Sequence, residues 1–218
     1  MEKIKIAPSI LSADFANLER DITMAEKAGA DWLHLDIMDG HFVNNITVGP
    51  DVVDSLRPKS KLFFDAHLMI ENPEKYLAAF AEAGADLICV HLETLTNPSE
   101  TFKKIRALNK KVGLAVNPDK KFEDIKPYLS EIDMILFMSV WPGFSGQKFI
   151  ESVLTEINKT RAYLDKEGLS TDIQIDGGIN KETVRAAISA GANIIVSGSA
   201  VFKDPDPAAV IKFYKTCG

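Results

Sequence analysis

Ala28-Gly29-Ala30-Asp31-Trp32-Leu33-His34-Leu35-Asp36-Ile37 carries the chain out of a helix and straight into a strand. The Ala-Gly-Ala turn reads as a helix stop, because glycine just past a helix takes a positive φ without a Cβ clash. The run that follows suits a strand buried on both faces. Alternation with period two nevertheless puts His34, Asp36 and Met38 on one face and Leu33, Leu35 and Ile37 on the other. A histidine and an aspartate on an inward face conflict with plain core packing, and such conflicts collect at functional sites. The helix-stop pattern returns twice, as Ala83-Gly84-Ala85-Asp86 and Ala190-Gly191-Ala192-Asn193, each time before a strand candidate.

Working outward, strands are predicted over residues 5–9, 32–37, 61–69, 87–91, 112–117, 134–139, 172–176 and 194–197. Helix-like stretches lie between them, over 15–27, a short one from Asp51, 74–83, 99–108, 122–129, 150–167, 181–189 and 207–215. Eight βα units in 218 residues, with no long linker, predict an α/β chain that forms one (β/α)8 barrel domain over 1–218. A doubly wound open sheet would have fewer strands and a G-x-G-x-x-G fingerprint after the first, which this chain lacks.

The net charge of -6 argues against nucleic acid or an anionic membrane as partner. It leaves room for a phosphorylated small molecule, since main-chain amides hold a phosphate whatever the global charge. Self-association into a homo-oligomer is compatible with this composition. Cys89 and Cys217 offer no disulfide framework, the amino terminus lacks the features of a signal peptide, and no apolar run reaches the roughly 18 residues of a membrane span. A cytoplasmic location is expected.

Barrel enzymes gather their chemistry at the C-terminal strand ends. Those ends carry Ser9, His34 with Asp36, His67, His91, Asn117, Ser139, Asp176 and Gly198-Ser199. His34, Asp36, His67 and Asp176 form a mixed nitrogen and oxygen set suited to one divalent metal ion: Zn2+, Fe2+, Mn2+ or Co2+. Asp65 is expected to orient His67, with His41 and His91 as loop or supporting residues. Glycines in Asp176-Gly177-Gly178-Ile179-Asn180 and Ser197-Gly198-Ser199-Ala200 suit an anion in the loops after the last two strands. The loop Ser139-Val140-Trp141-Pro142-Gly143-Phe144-Ser145-Gly146-Gln147-Lys148-Phe149 reads as a lid. Met38, Met69 and Met138 would put polarisable, non-protic surface beside the metal.

Five of these segments, in this order, resemble the ribulose-phosphate 3-epimerase family: Ala7-Pro8-Ser9-Ile10-Leu11-Ser12-Ala13-Asp14-Phe15, residues 34–42, Ala66-His67-Leu68-Met69, residues 138–149 and Asp176-Gly177-Gly178-Ile179-Asn180. The resemblance implies a phosphorylated ketose substrate, D-ribulose 5-phosphate, converted to D-xylulose 5-phosphate by moving the proton at C3. It implies metal ligation by His34, Asp36, His67 and Asp176, with Asp36 and Asp176 as acid and base. Ser9, His67, Gly143, Phe144, Ser145 and Gly146 would contact the sugar, and Gly177, Gly178, Gly198 and Ser199 the phosphate. Two carboxylates on opposite faces of a flat enediolate suit inversion, one taking the proton while the other donates. The chain departs from the family's pattern at Asn44, where proline usually precedes Asn45, and at Trp141 and Ser145 in the lid. These departures bear on sugar size, so epimerisation of a hexulose 6-phosphate such as D-allulose 6-phosphate is the alternative reading, followed by a non-catalytic sugar-phosphate-binding barrel. No strand exit ends in lysine, which disfavours Schiff-base chemistry.

Overall fold

In the computed structural model, which describes residues 3–218, parallel strands run side by side around a barrel. They are β1 (Lys5–Pro8), β2 (Trp32–Met38), β3 (Phe63–Met69), β4 (Leu87–His91), β5 (Lys111–Val116), β6 (Met134–Met138), β7 (Asp172–Asp176) and β8 (Ile194–Ser197). The hydrogen-bonded order is β1-β8-β7-β6-β5-β4-β3-β2, and the ring closes where Ser9 pairs with His34. Between the strands lie α1 (Leu18–Lys27), α2 (Pro50–Leu56), α3 (Leu77–Glu82), α4 (Pro98–Ala107), α5 (Phe122–Ile125), α6 (Val153–Glu167) and α7 (Thr183–Ala190), with α8 (Ser199–Phe202) and α9 (Pro207–Lys215) after β8. Among the described residues no helix is long and apolar enough to cross a membrane.

Element boundaries differ from expectation where local chemistry intervenes. The helix expected from residue 15 starts at Leu18, leaving Phe15 exposed in a turn. The helix expected over 122–129 divides into α5 and a 3-10 turn, Lys126–Tyr128, at Pro127, whose ring nitrogen has no proton to donate. Ser199 and Ala200, read as part of a glycine loop, begin the short α8.

The period-two reading of β2 holds. Leu33, Leu35 and Ile37 pack outward with Phe64, Ala66 and Leu68 of β3 against the helices. Inside the barrel the register sets Trp32 beside Phe63, His34 beside Asp65, Asp36 beside His67 and Met38 beside Met69. The interior is therefore layered. Trp32 and Phe63 form an aromatic floor with ring centroids 4.3 Å apart, and the Lys5 ammonium lies 5.4 Å from the Trp32 ring and 2.8 Å from Asp172. Two polar layers stand above it, and methionines rim the top.

The repeated helix stops have a physical explanation. Gly29, Gly84 and Gly191 all have positive φ, at 94°, 97° and 117°. The residue two places later clamps the preceding strand at both its donor and its acceptor. Asp31 accepts from the Ile6 amide at 3.0 Å while its own amide donates to the Ile6 carbonyl at 3.0 Å. Asp86 treats Phe64 the same way, at 2.7 and 2.9 Å, and Asn193 treats Ile173 so at 2.7 and 2.9 Å. Asp133, which follows no such glycine, completes the series with Val112 at 2.8 and 2.8 Å. Each clamp joins an odd-numbered strand to the even-numbered strand after it. Asp86→Ala is expected to lower stability by about 1–3 kcal/mol, because the amide of the fully buried Phe64 loses its acceptor. The shift in the urea midpoint measures it.

Candidate active site

The barrel brings the four expected ligands together. His34 and Asp36 come from β2, His67 from β3, and Asp176 is the last residue of β7. One donor atom from each lies within 4.8 Å of all the others. His34 Nε2 stands 3.2 Å from His67 Nδ1, 3.4 Å from Asp36 Oδ1 and 3.9 Å from Asp176 Oδ2, and His67 Nδ1 is 3.5 Å from Asp36 Oδ1. Donors bonded to one cation at about 2.0–2.1 Å in a tetrahedron stand roughly 3.3 Å apart. The donor chemistry and the spacing both fit, so this cluster could hold a metal ion.

The electrostatics of the cluster are those of charges crowded out of water. Burial opposes an imidazolium at His34, but the Asp36 and Asp65 carboxylates outweigh it and raise the ring well above its usual pKa. Burial also disfavours the Asp36 anion, yet the neighbouring His34 and His67 hold it well below the usual carboxylate range. Asp176 goes the other way, pushed up to about 7 by burial and then by the Asp36 charge. Burial keeps His67 low and takes His91 down to about 4. One carboxylate is thus ionised while its neighbour keeps a proton near neutrality.

Supporting contacts differ from the expected ones in one respect. Asp65, read as the partner of His67, instead accepts from His34 Nδ1 at 2.7 Å. Asp65 is the register partner of His34 on the adjacent strand, and inward side chains paired in this way touch. Gln174, which went unnoticed, donates to the same Asp65 oxygen at 2.8 Å. Its signal was available, since it lies two residues before Asp176 on the same inward face. His67 is backed by His91, with the two Nε2 atoms 2.8 Å apart, and His91 Nδ1 lies 3.2 Å from Glu93 Oε2. The other Asp36 oxygen, Oδ2, accepts a short hydrogen bond from the Ser9 hydroxyl.

Above the cluster opens a cleft toward solvent. Ser9, Asp36, Asp176 and the three methionines Met38, Met69 and Met138 line it. So do Gly143, Phe144, Ser145 and Gly146 of the lid and Gly177, Gly178, Gly198 and Ser199 of the last two strand ends. His67, the register neighbour of Asp36, is fully buried and does not line the cleft. Trp141 also stands outside the lining, 52% exposed. The lid is tied to the loop after β2 by Asn45 Nδ2, which donates to the Gly143 carbonyl at 2.8 Å. Gly177 and Gly178 have positive φ, and a Cβ on either would come within 2.5 Å of Val140 or 2.7 Å of the Phe149 amide. Their loop presses directly on both stems of the lid. Ser12 and Ser197 also line the cleft, and the buried Ser12 hydroxyl has no partner among the described residues.

A model of the ribulose-phosphate 3 epimerase family matches residues 5–202. The chain belongs to that family. The ribulose-phosphate 3-epimerase of Bacillus subtilis is 48% identical over 204 residues, covering 93% of this chain and 94% of that protein. That of Synechocystis is 48% identical over 212 residues, covering 96% and 92%. Among solved structures, 3-hexulose-6-phosphate synthase from Salmonella typhimurium superimposes with a TM-score of 0.72 at 16% identity, covering 98% of each chain. That likeness is one of fold: this epimerase-family chain shares its barrel with enzymes of other chemistry.

Proposed function

We propose that this epimerase interconverts D-ribulose 5-phosphate and D-xylulose 5-phosphate by moving the proton at C3, with Asp36 and Asp176 as its carriers. One observation bears most of the weight. Two carboxylates from different strands converge on one imidazole, Asp36 Oδ1 at 3.4 Å and Asp176 Oδ2 at 3.9 Å from His34 Nε2, and both line the cleft, which is the arrangement of a paired base and acid. Because they share a site, the two exchange protons as a coupled pair.

His34, His67, Asp36 and Asp176 would hold a divalent cation, whose charge lowers the cost of the enediolate left when the C3 proton departs. Asp36 keeps its orientation through the Ser9 hydroxyl on one oxygen and turns the other toward His34 and His67. Gly177, Gly178, Gly198 and Ser199 receive the phosphate. The unpartnered hydroxyl of Ser12 supports this, since Ser12 Oγ would lie 2.5 Å from a Cβ on Gly198 and is a donor in want of an anion. Gly143, Phe144, Ser145 and Gly146 close over the sugar, and Met38, Met69 and Met138 give its reacting carbon a wall without exchangeable protons. The chain works as one domain in the cytoplasm.

Turnover of D-ribulose 5-phosphate in D2O with added divalent cation is expected to give D-xylulose 5-phosphate carrying one deuterium at C3, read by mass spectrometry and proton NMR. Product without label, or no turnover of the pentulose alongside turnover of a hexulose 6-phosphate, would refute it.

A further inference from the structure

We propose that His91 and Glu93 form a positioning relay that locks His67 in the tautomer presenting Nδ1 to the cation site. The inference rests on the metal reading given above and concerns residues one step removed from it. An imidazole that lends a lone pair through one nitrogen carries its proton on the other. His67 Nδ1 faces the cluster, 3.2 Å from His34 Nε2 and 3.5 Å from Asp36 Oδ1, so its proton belongs on Nε2. There it meets His91 Nε2 at 2.8 Å, which must accept and therefore carries no proton of its own. The proton of His91 then sits on Nδ1 and is donated to Glu93 Oε2 at 3.2 Å. The second carboxylate oxygen of Glu93 accepts the main-chain amide of Asn117 at 2.9 Å, which fixes it in place.

Every donor in this chain points away from the cluster, and reversing any one reverses all of them. With a proton on His91 Nε2, two N–H groups would collide at 2.8 Å unless His67 moved its proton to Nδ1 and gave up its lone pair toward the cation. The ring of His91 cannot easily turn to escape. It is fully buried between the His67 ring, with centroids 5.0 Å apart, and the Phe42 ring, with centroids 4.8 Å apart. The two imidazoles of the cluster are thus supported unequally. His34 leans directly on the Asp65 carboxylate, while His67 leans on a neutral ring whose orientation depends on an anion at the rim.

The test uses Co2+ as the probe, with affinity read from its visible absorption, and long-range 1H–15N correlation spectra of the apo-protein to report the tautomer of His67. In the wild type the proton is expected on Nε2. His91→Phe keeps the ring volume but removes the acceptor, and Co2+ affinity should fall about 10–100-fold with His67 shifting toward the Nδ1–H form. Glu93→Ala should show the same shift in smaller measure, and Glu93→Gln, which keeps an acceptor for His91 Nδ1–H, should restore most of the affinity. A purely structural role would give neither the tautomer shift nor that rescue. Should His91→Phe fail to fold, the two Glu93 variants, outside the barrel core, decide the matter. Wild-type affinity and an unmoved tautomer in His91→Phe or Glu93→Ala overturn the relay. A wild-type protein that takes up no Co2+ overturns the metal reading and the relay with it.

Discussion

Asp176→Asn is expected to lower turnover of D-ribulose 5-phosphate by about 10³- to 10⁴-fold while leaving the barrel folded. The fold should survive because Asp176 anchors the strand end through its main-chain carbonyl, which accepts from the Ser139 amide at 2.7 Å and the Ser139 hydroxyl at 2.9 Å. Its carboxyl opens instead into the cleft. Asparagine keeps that shape but neither takes nor gives a proton. The loss should fall unequally on the two directions of exchange, since Asp36 remains able to serve one face of the intermediate. One epimer should therefore still exchange its C3 hydrogen with solvent while net conversion stops. Cation content measured on the same sample separates loss of an acid from loss of a ligand. Retention of conversion within tenfold of the wild type would defeat the assignment.

Affinity of the apo-protein for a divalent cation is expected to weaken as pH falls from about 8 to about 6. The Asp176 carboxyl sits up at about 7, from burial and the adjacent Asp36 charge, and must be ionised to serve as a ligand. Below that value a cation has to expel the proton, so affinity drops about tenfold for each further pH unit from this group alone. His34, raised well above its usual value by Asp36 and Asp65 in spite of burial, holds a second proton that binding must displace. Titration calorimetry in buffers of different ionisation enthalpy counts the protons released. An affinity that stays flat across this range would show that neither group is displaced.

Much of this was legible in the residues because barrel geometry converts local patterns into place. A polar residue on the inward face of an otherwise apolar strand is conspicuous, and four of them at C-terminal strand ends could only converge. What stayed hidden depended on register between strands. Whether Asp65 supports His34 or His67 turns on a pairing of β2 with β3 that no single strand reveals. The Asp31, Asp86 and Asn193 echoes were visible as turns, but their bonds to Ile6, Phe64 and Ile173 reach back some twenty residues to another element. Helix α8 was missed because Gly198-Ser199 reads equally well as a loop around an anion.

Those same base contacts divide the barrel into quarters. Asp31, Asp86, Asp133 and Asn193 tie β1 to β2, β3 to β4, β5 to β6 and β7 to β8 by side chain and amide, whereas across the seams between these pairs their carbonyls accept only the amides of Phe63, Lys111, Asp172 and Lys5. By these side-chain clamps the barrel repeats as four like modules of two strands, and the seams between them run beside α2, α4 and α6. Insertions or re-threaded chain ends at those seams leave every module whole, while the same surgery at α1, α3, α5 or α7 cuts one in half. Asp36 and His67 face each other across the first seam, so the chemistry is assembled at a joint between modules.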